Sequence, residues 1–335
     1  HVIETSSYIT GPDVTKFEQE FADYVGAEDC ASTGSGTTAL MCALRALKIG
    51  PGDEVLTTPH TFVATTEAIV SVGATPVFVD IDPDTHLIDL VQLEKLITNR
   101  SRAILFVDIY GQCPNIDVLR HICKLHKLHL IEDAAQHWLS NNCQRYGEAA
   151  AISFDPMKNL ANFSNGGAIV TNDLDLALYA RSWKEHGKDK HSIAGSNSRM
   201  SEVDCAQMLV KAKYIDKWQA RRRDISTFWI ERLKKSQIRC LIDDSNFETH
   251  AFHKFVIEVD NRDILQRNLD LKKIETRVHY KTPVHETGLF RESVGPDILA
   301  VSSSLSRRVL SLPLYPELTD LEVEYIIESV VDCVS

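Results

Sequence analysis

The sequence has no uninterrupted apolar stretch that approaches the roughly 20 residues needed to cross a bilayer. Its start, residues 1–10, also lacks the basic segment followed by an apolar core that marks a secretion signal. We therefore expect no membrane association and a cytoplasmic location. An excess of positive charge is missing too, since the formal net charge is -11. Because proteins that bind nucleic acid usually present a basic face, no nucleic-acid partner is expected.

Several motifs of other enzyme classes are also absent. The eight cysteines form no CxxC pair and have no regular spacing, which argues against a disulfide framework and a zinc cage. They are expected to be reduced core residues, and no metal site is predicted. There is no HExxH pattern of a zinc hydrolase. No G-x-G-x-x-G segment follows the first predicted strand, which argues against a dinucleotide-binding oxidoreductase.

What the chain does have is length and a regular alternation of short strands with helices. Its 335 residues, 44% of them hydrophobic, suffice for one large domain and one smaller one. The alternation predicts an α/β large domain over residues 1–214, with a mostly parallel central sheet flanked by helices. A smaller C-terminal α+β domain is predicted over residues 215–335. The predicted strands are 54–57, 76–79, 103–107, 128–131, 149–154 and 168–171 in the first domain, and 251–259 and 276–280 in the second.

Three segments place polar residues where strands end or helices begin, the usual ligand address in open α/β sheets. Residues 32–38 put glycines and hydroxyls ahead of a helix, which suits a phosphate, although alone they would more often be a plain turn. Asp133 follows a strand among small residues and could pair with a protonated ring nitrogen, although a cap is the commoner role. Lys158 follows another strand, and a lone lysine is usually just solvated. Together they are the parts that pyridoxal phosphate requires.

With these segments in place, the sequence resembles the DegT/DnrJ/EryC1/StrS family of sugar aminotransferases, which are fold-type I pyridoxal-phosphate enzymes. The resemblance extends over essentially the whole chain. It is carried, in order, by the segments at 8–12, 50–55, 110–112, 132–136, 153–159 and 312–316.

The resemblance implies a role for each matching residue. Lys158 is expected to bind the cofactor as a Schiff base and to shuttle a proton, while Asp133 keeps the pyridine nitrogen protonated. The remaining expected cofactor contacts are Phe62 against the ring face, Gln136 on the ring hydroxyl, and Thr37, Thr38 and Ser153 on the phosphate.

Asn197 matches a residue that reaches the phosphate of the neighbouring subunit, which implies a homodimer with active sites at its interface. Without the family, Asn197 would more often be a turn residue. His279, Tyr280 and His285 match the segment at the substrate entrance, although isolated histidines more often pack in the core. Trp138 replaces a small residue of the family and is expected to reshape the sugar pocket.

The expected reaction is ping-pong transamination. An amino acid, expected to be L-glutamate, converts the cofactor to pyridoxamine phosphate, which then aminates a nucleotide-linked keto-sugar. Such a reaction belongs to the biosynthesis of amino sugars for polysaccharides or antibiotics. Two alternatives stay open: an amino-cyclitol precursor or non-nucleotide keto-sugar as acceptor, and a non-catalytic sensor with the same fold. A sensor would be expected to lose Lys158 or Asp133. Family dehydratases carry histidine at the lysine position, so Lys158 argues against them.

Overall fold

The computed structural model describes residues 2–137, 147–188, 190–236, 238–242, 247–290 and 298–334. Its helices are α1 Val2–Thr5, α2 Pro12–Val25, α3 Gly36–Ala46, α4 Ala64–Ser71, α5 Leu90–Lys95, α6 Ile116–His126, α7 Leu174–Trp183, α8 Glu202–Ala212, α9 Ile215–Leu233, α10 Arg262–Leu271, α11 Ala300–Ser306 and α12 Asp320–Val334. Its strands are β1 Asp29–Thr33, β2 Glu54–Thr57, β3 Thr75–Phe78, β4 Ser101–Val107, β5 His129–Asp133, β6 Ala149–Ser153, β7 Gly167–Thr171, β8 Arg239–Cys240, β9 Phe255–Glu258 and β10 Val309–Leu312.

The larger of two sheets has seven strands in the order β1-β7-β6-β5-β4-β2-β3. Strands β3, β2, β4, β5 and β6 are parallel to one another. Strand β7 is antiparallel to both of its neighbours, β6 and β1, so β1 points the same way as β6. The mostly parallel sheet expected from the sequence is confirmed.

Helices cover both faces of this sheet, which explains why most of its strand residues are buried. Strand β6 shows the arrangement, because successive side chains point to opposite faces. Ala149 and Ala151 pack with α3, α4 and α7, whereas Ala150 and Ile152 pack with α2 and α8. Helix α6 packs against strands β4 and β5 in a third cluster of buried apolar residues. Strands β1 to β6 all run in the same direction, so the carboxyl ends of these six strands lie at one edge of the sheet.

The smaller sheet has three antiparallel strands in the order β10-β9-β8. Helices α9, α10 and α12 supply the apolar side chains that pack with it. Trp229 of α9 is fully buried there, and its indole N–H donates to the carbonyl of Val323 at 2.9 Å. The predicted domain boundary at residues 214/215 falls between α8 and α9 and stays a prediction.

Some sequence-based elements were wrong. The strand predicted at 276–280 is a single bridge between Arg277 and Ser311. Beyond it, the His279 carbonyl accepts from the Tyr110 hydroxyl, a tertiary contact that competes with sheet pairing. The strand predicted at 251–259 is shortened to β9, because Ala251 and Lys254 donate to the carbonyls of Gly111 and Tyr110 instead. The charged residues at 211–232 favour one helical stretch, but the structure divides it between two helices, α8 and α9.

The remaining expectations about the body of the protein concern membranes and cysteines. No described helix is both long and apolar enough to cross a membrane. Cys30, Cys42, Cys123 and Cys205 are buried. Burial raises the pKa of the Cys42 and Cys123 thiols to about 12, which fits reduced core residues.

Candidate active site

Three of the predicted site residues and the N-terminus of α3 come together at the edge where the strands end. Asp133 ends β5, and Lys158 lies in the turn between β6 and β7. Phe62 lies between β2 and α4, and the N-terminus of α3 follows β1. These segments are far apart in the sequence, and the sheet order brings them to one edge. This is the position at which open α/β sheets bind ligands.

Asp133 is held by two hydrogen bonds in a buried position. Its Oδ2 accepts from the Thr65 hydroxyl at 2.7 Å, and its Oδ1 accepts from the Ala135 N–H at 3.2 Å. Burial raises the pKa of Asp133, and these two donors and the charge of Lys158 oppose that effect. Thr65 was not predicted from the sequence. The sequence favours a helix over 65–71, and the only signal at Thr65 is its hydroxyl at the start of that helix, three positions after Phe62.

Lys158 supplies an amine next to this carboxylate. Its backbone N–H donates to Asp155 at 2.8 Å, which closes the turn after β6. Its side chain makes no hydrogen bond or ion pair with any residue that the structure describes. Burial lowers the pKa of Lys158, while Asp133 and Asp155 oppose the shift. A lowered pKa makes the neutral, nucleophilic amine more accessible near neutral pH.

An aromatic and an amide border the same space. Phe62 is 55% exposed, which is unusual for a large apolar side chain and suits a stacking surface. Its ring centroid lies 6.0 Å from that of Tyr280. Gln136 accepts from the Tyr110 backbone N–H at 2.8 Å and donates to the Tyr280 hydroxyl at 3.3 Å. Tyr110 was not predicted as a site residue, although it lies in one of the segments that carried the family resemblance.

The expected phosphate site is the N-terminus of α3. Ser35 caps this helix, and its Oγ accepts from the Thr38 N–H at 3.1 Å. The Thr38 hydroxyl is already engaged, since it donates to the Ser35 carbonyl and accepts from Ser198. Thr37 has no side-chain partner among the described residues. A Cβ on Gly36 would lie 3.0 Å from that of Ser153, so helix and strand end meet closely. Helix N–H groups here suit an anion.

The other predicted site residues are more scattered. His279 lines the cleft beside Lys158, and its Nδ1 lies 2.8 Å from the Ser311 hydroxyl. Burial and the charges of Lys254, Lys158 and Arg277 lower the pKa of His279 to about 4. His285 is buried against Phe78, with Nε2 3.1 Å from the Ser303 hydroxyl, and does not line that cleft. Trp138 lies outside the described residues.

Asn197 is exposed, while the next residue, Ser198, is buried and donates to Thr38 of its own chain. Residue 197 pairs with Glu185 in an isolated bridge, so the backbone is extended there. Successive side chains of an extended segment point to opposite sides. Asn197 therefore points away from the α3 N-terminus of its own chain.

A buried acid, Asp108, and a buried histidine, His137, lie close to Asp133. Asp108 Oδ2 is 3.4 Å from His137 Nδ1, and both side chains are fully buried. The opposite ring nitrogen of His137 donates to the Thr249 carbonyl at 2.9 Å, because a carbonyl only accepts. With Cys113, this pair brings three possible metal-ligand atoms within 4.8 Å of one another. Asp108 and His137 contact each other directly in this cluster, and the absence of a metal site stays a prediction.

The DegT/DnrJ/EryC1/StrS aminotransferase family model matches residues 1–331. The chain belongs to this family. The identification confirms the resemblance deduced from the sequence. Members of the family are pyridoxal-phosphate-dependent sugar aminotransferases, and the arrangement of Lys158, Asp133, Phe62 and the α3 N-terminus fits this cofactor.

Two curated relatives illustrate the range of names within the family. The chain is 38% identical over 334 residues to the erythromycin biosynthesis sensory transduction protein EryC1 of Saccharopolyspora erythraea, covering 97% of this chain and 91% of the relative. It is 36% identical over 337 residues to dTDP-3-amino-3,4,6-trideoxy-alpha-D-glucose transaminase of Streptomyces venezuelae, covering 98% and 89%. One name describes a sensory role and the other an enzyme.

Solved structures show the same fold. The structure of S. venezuelae DesV in complex with a ketimine intermediate matches with a TM-score of 0.96 and 35% identity, covering 100% of this chain and 92% of the other. The structure of NtdA from Bacillus subtilis with bound cofactor PMP matches with a TM-score of 0.94 and 31% identity, covering 99% and 79%. The expected fold class and cofactor are thereby confirmed.

Proposed function

We propose that this chain transfers the amino group of L-glutamate to a nucleotide-linked keto-sugar. The observation that carries the proposal is the amine of Lys158, which is unengaged among the described residues and close enough to the buried carboxylate of Asp133 for each to affect the other's pKa. The adjoining cleft has a volume of about 900 Å³, which is large enough for a nucleotide-linked sugar. The dTDP-sugar named for the S. venezuelae relative supports this substrate class.

Each site residue has a proposed task in this reaction. Bound pyridoxal phosphate supplies an electron-withdrawing ring that stabilises negative charge on the reacting carbon. Lys158 holds the cofactor and moves the proton at its Nζ, and Asp133 keeps a positive charge on the ring nitrogen. Phe62 and Gln136 fix the ring, and the α3 N-terminus, with Thr37, Thr38 and Ser153, holds the phosphate. Because the Thr38 hydroxyl already serves the helix cap, we expect Thr37 to contribute more.

The proposed active unit is a homodimer, in which Asn197 reaches the phosphate of the partner's cofactor. The support is the exposure of Asn197 and its direction away from its own α3. His279 and Tyr280 are proposed to line the substrate entrance, where both face the cleft or its aromatic border. His285 and Trp138 remain proposed entrance residues on the family resemblance alone.

The second candidate function is sensing without catalysis, which the name of the S. erythraea relative favours. The presence of both Lys158 and Asp133 favours the enzyme instead. Transfer to an acceptor without a nucleotide, such as an amino-cyclitol precursor, would differ from the proposed reaction only in the substrate that occupies the large cleft.

Near-ultraviolet and visible absorbance of the protein mixed with pyridoxal phosphate separates these candidates. We expect a visible band from the lysine-bound cofactor, and addition of L-glutamate should replace it with the band of pyridoxamine phosphate. Lys158→Ala should lack the visible band, whereas Lys217→Ala, which removes an exposed lysine outside the cleft, should retain it. A band that does not respond to any amino acid would favour the sensor and refute the proposal.

A further inference from the structure

The cleft beside Lys158 has a charge opposite to that of the whole protein. The lining of the cleft includes Lys158 and three carboxylates, those of Glu275, Glu317 and Glu322. It also includes six more cationic residues: Lys211, Arg222, Lys254, Lys272, Lys273 and Arg277. In a chain with a net charge of -11, this local excess of positive charge favours an anionic ligand.

Most of these cations already have partners. Lys211 donates to the Ala161 carbonyl, and Lys272 lies 3.5 Å from a carboxylate oxygen of Asp332. Arg222 donates to two backbone carbonyls, at 3.2 and 3.0 Å. Lys254 and Lys273 differ, because their ammonium groups make no hydrogen bond or ion pair with any residue in the described part of the chain. Of these two, Lys273 is exposed and only Lys254 is half-buried.

Lys254 also has a fixed position close to the reaction centre. Its backbone N–H donates to the Tyr110 carbonyl at 3.2 Å, and the Tyr110 N–H in turn donates to Gln136. Burial, followed by the charges of Lys158, Arg222 and Arg277, lowers the pKa of Lys254 to about 8. A half-buried cation among other cations is electrostatically unfavourable, and a bound anion would remove this cost.

Arg277 lies on the adjacent wall of the cleft. Its backbone exchanges two hydrogen bonds with Ser311, of 3.1 and 2.7 Å, and the Ser311 hydroxyl contacts His279. The wall is thus tied to β10. The guanidinium of Arg277 pairs with Glu275, and both side chains are about 70% exposed, so this pairing is weak and exchangeable.

We propose that Lys254 and Arg277 form an anion subsite that binds an oxyanion of the substrate beside Lys158. The inference rests on the proposed transamination for the identity of that substrate. Two sources supply the oxyanion: the diphosphate of the nucleotide-linked sugar or a carboxylate of the amino donor. Arginine binds either group in a bidentate manner, and a lysine ammonium adds a point charge.

Calorimetric titration of the cofactor-loaded protein tests the subsite without any turnover, with dTDP as the diphosphate probe. A second measurement follows the L-glutamate dependence of the change in the cofactor absorbance band. We expect Lys254→Gln and Arg277→Gln each to weaken one of the two ligands about tenfold or more, the typical effect of losing a hydrogen bond to a charged group. Loss for dTDP alone assigns the diphosphate, and loss for glutamate alone assigns the carboxylate. No loss for either ligand overturns the subsite.

Matched variants separate direct contact from a general change in charge. Lys217→Gln removes the same charge outside the cleft and should leave both ligands unaffected. Lys254→Arg should restore most of the binding that Lys254→Gln loses, and Glu275→Gln should tighten binding by releasing Arg277. An equal loss in Lys217→Gln would refute a direct role.

The two proposals fail in different ways. If glutamate does not change the absorbance band but dTDP binding still depends on Lys254, the subsite stands and the transamination does not. If Lys254→Gln does not fold, the exposed Arg277→Gln still decides the question.

Discussion

Thr65 and Thr66 are neighbours in α4 whose hydroxyls have opposite surroundings. The Thr65 hydroxyl donates to Asp133 at 2.7 Å, whereas the buried Thr66 hydroxyl has no hydrogen-bond partner among the residues that the structure describes. Thr65→Val removes a bond that lowers the pKa of Asp133, so that pKa should rise further. Because hydrogen bonds to charged groups contribute about 1.5–3 kcal/mol, we expect kcat to fall about tenfold or more.

The pH dependence of kcat tests whether the loss in Thr65→Val comes from the pKa of Asp133. A higher pKa at Asp133 leaves more of the carboxyl neutral at low pH, so the acidic limb of the profile should move to higher pH in Thr65→Val. Thr66→Val is the control, since a valine of the same shape in place of an unsatisfied hydroxyl should be neutral or stabilising. Equal losses in both variants would indicate a packing effect and contradict the electrostatic explanation.

The sequence identified Lys158 and Asp133 because each lies within four residues after a predicted strand, and strand ends share one edge. It did not identify Thr65 or Lys254. Both lie inside predicted elements, where a polar residue has no distinctive pattern, and their importance comes from contacts with residues 68 or more positions away or from the shape of the cleft. Such contacts exist only in the folded chain.

At the scale of elements, β7 and the α3 N-terminus approach each other closely at Gly167. A Cβ there would lie 2.4 Å from the Ser35 carbonyl carbon, which is backbone and cannot move aside as a side chain can. Gly167→Ala should therefore lower the free energy of unfolding by about 1–3 kcal/mol, a typical cost of overpacking. It should also weaken pyridoxal-phosphate binding, because it shifts the helix end proposed to hold the phosphate.

Urea unfolding and a cofactor titration measure the two effects. Gly288→Ala is the matched control, since a Cβ at Gly288 would have no described atom within 4 Å. A Gly167→Ala variant with the stability and cofactor affinity of the control would show that β7 and α3 are not tightly packed at this point.

Local sequence rules worked where local interactions decide the structure. Thr319 and Glu322, three positions apart ahead of an apolar run, predict a capping box. It is present at the start of α12, where each side chain accepts from the other residue's backbone N–H. The rules failed for residues 276–280, whose β-rich composition is overridden by contacts with Tyr110 and Gln136 from the large sheet's edge. Strands β1 and β10 were missed; β1, with the sequence DCAST, has no run of β-branched or aromatic residues to mark it.

For the whole molecule, buried histidines set the response to acid. Burial lowers the pKa of His60 and His279 to about 4, and of His86 and His250 to about 3, from an ordinary value of 6.5. Below pH 6.5 the unfolded chain binds more protons than the folded one. Stability is therefore complete above pH 6.5 and should decrease as the pH falls from 6.5 towards 4. His129 opposes this trend, because its hydrogen bond with Glu148 raises its pKa.

Urea midpoints between about pH 7.5 and about pH 5 measure this loss. His250 is a suitable test, because its Nδ1 accepts from the Phe252 N–H at 2.8 Å and protonation would break that bond. His250→Gln should reduce the slope of stability against pH, and the exposed His121→Gln should leave the slope unchanged. A midpoint that does not change with pH in the unsubstituted protein would contradict the role of the buried histidines.

The proposed homodimer can be tested by placing a change at Lys158 in one subunit and a change at Asn197 in the other. Lys158→Ala removes the amine, and Asn197→Asp places a negative charge where we propose a phosphate binds. Each homodimer should be inactive or nearly so. In a hybrid dimer, the subunit with intact Lys158 receives an intact Asn197 from its partner, so one of its two sites is complete.

Random mixing of the two variants during refolding or co-expression should therefore restore about one quarter of the wild-type activity per site. If Asn197 served its own subunit instead, the intact Lys158 would always accompany the altered Asn197, and no mixture would recover activity. Mixing Lys158→Ala with the double variant is the control and should restore nothing. Recovery with the single variants alone would place Asn197 in the partner's site. The sequence of one chain implies this relation only through the family resemblance, and the direction of the exposed Asn197 side chain supports it.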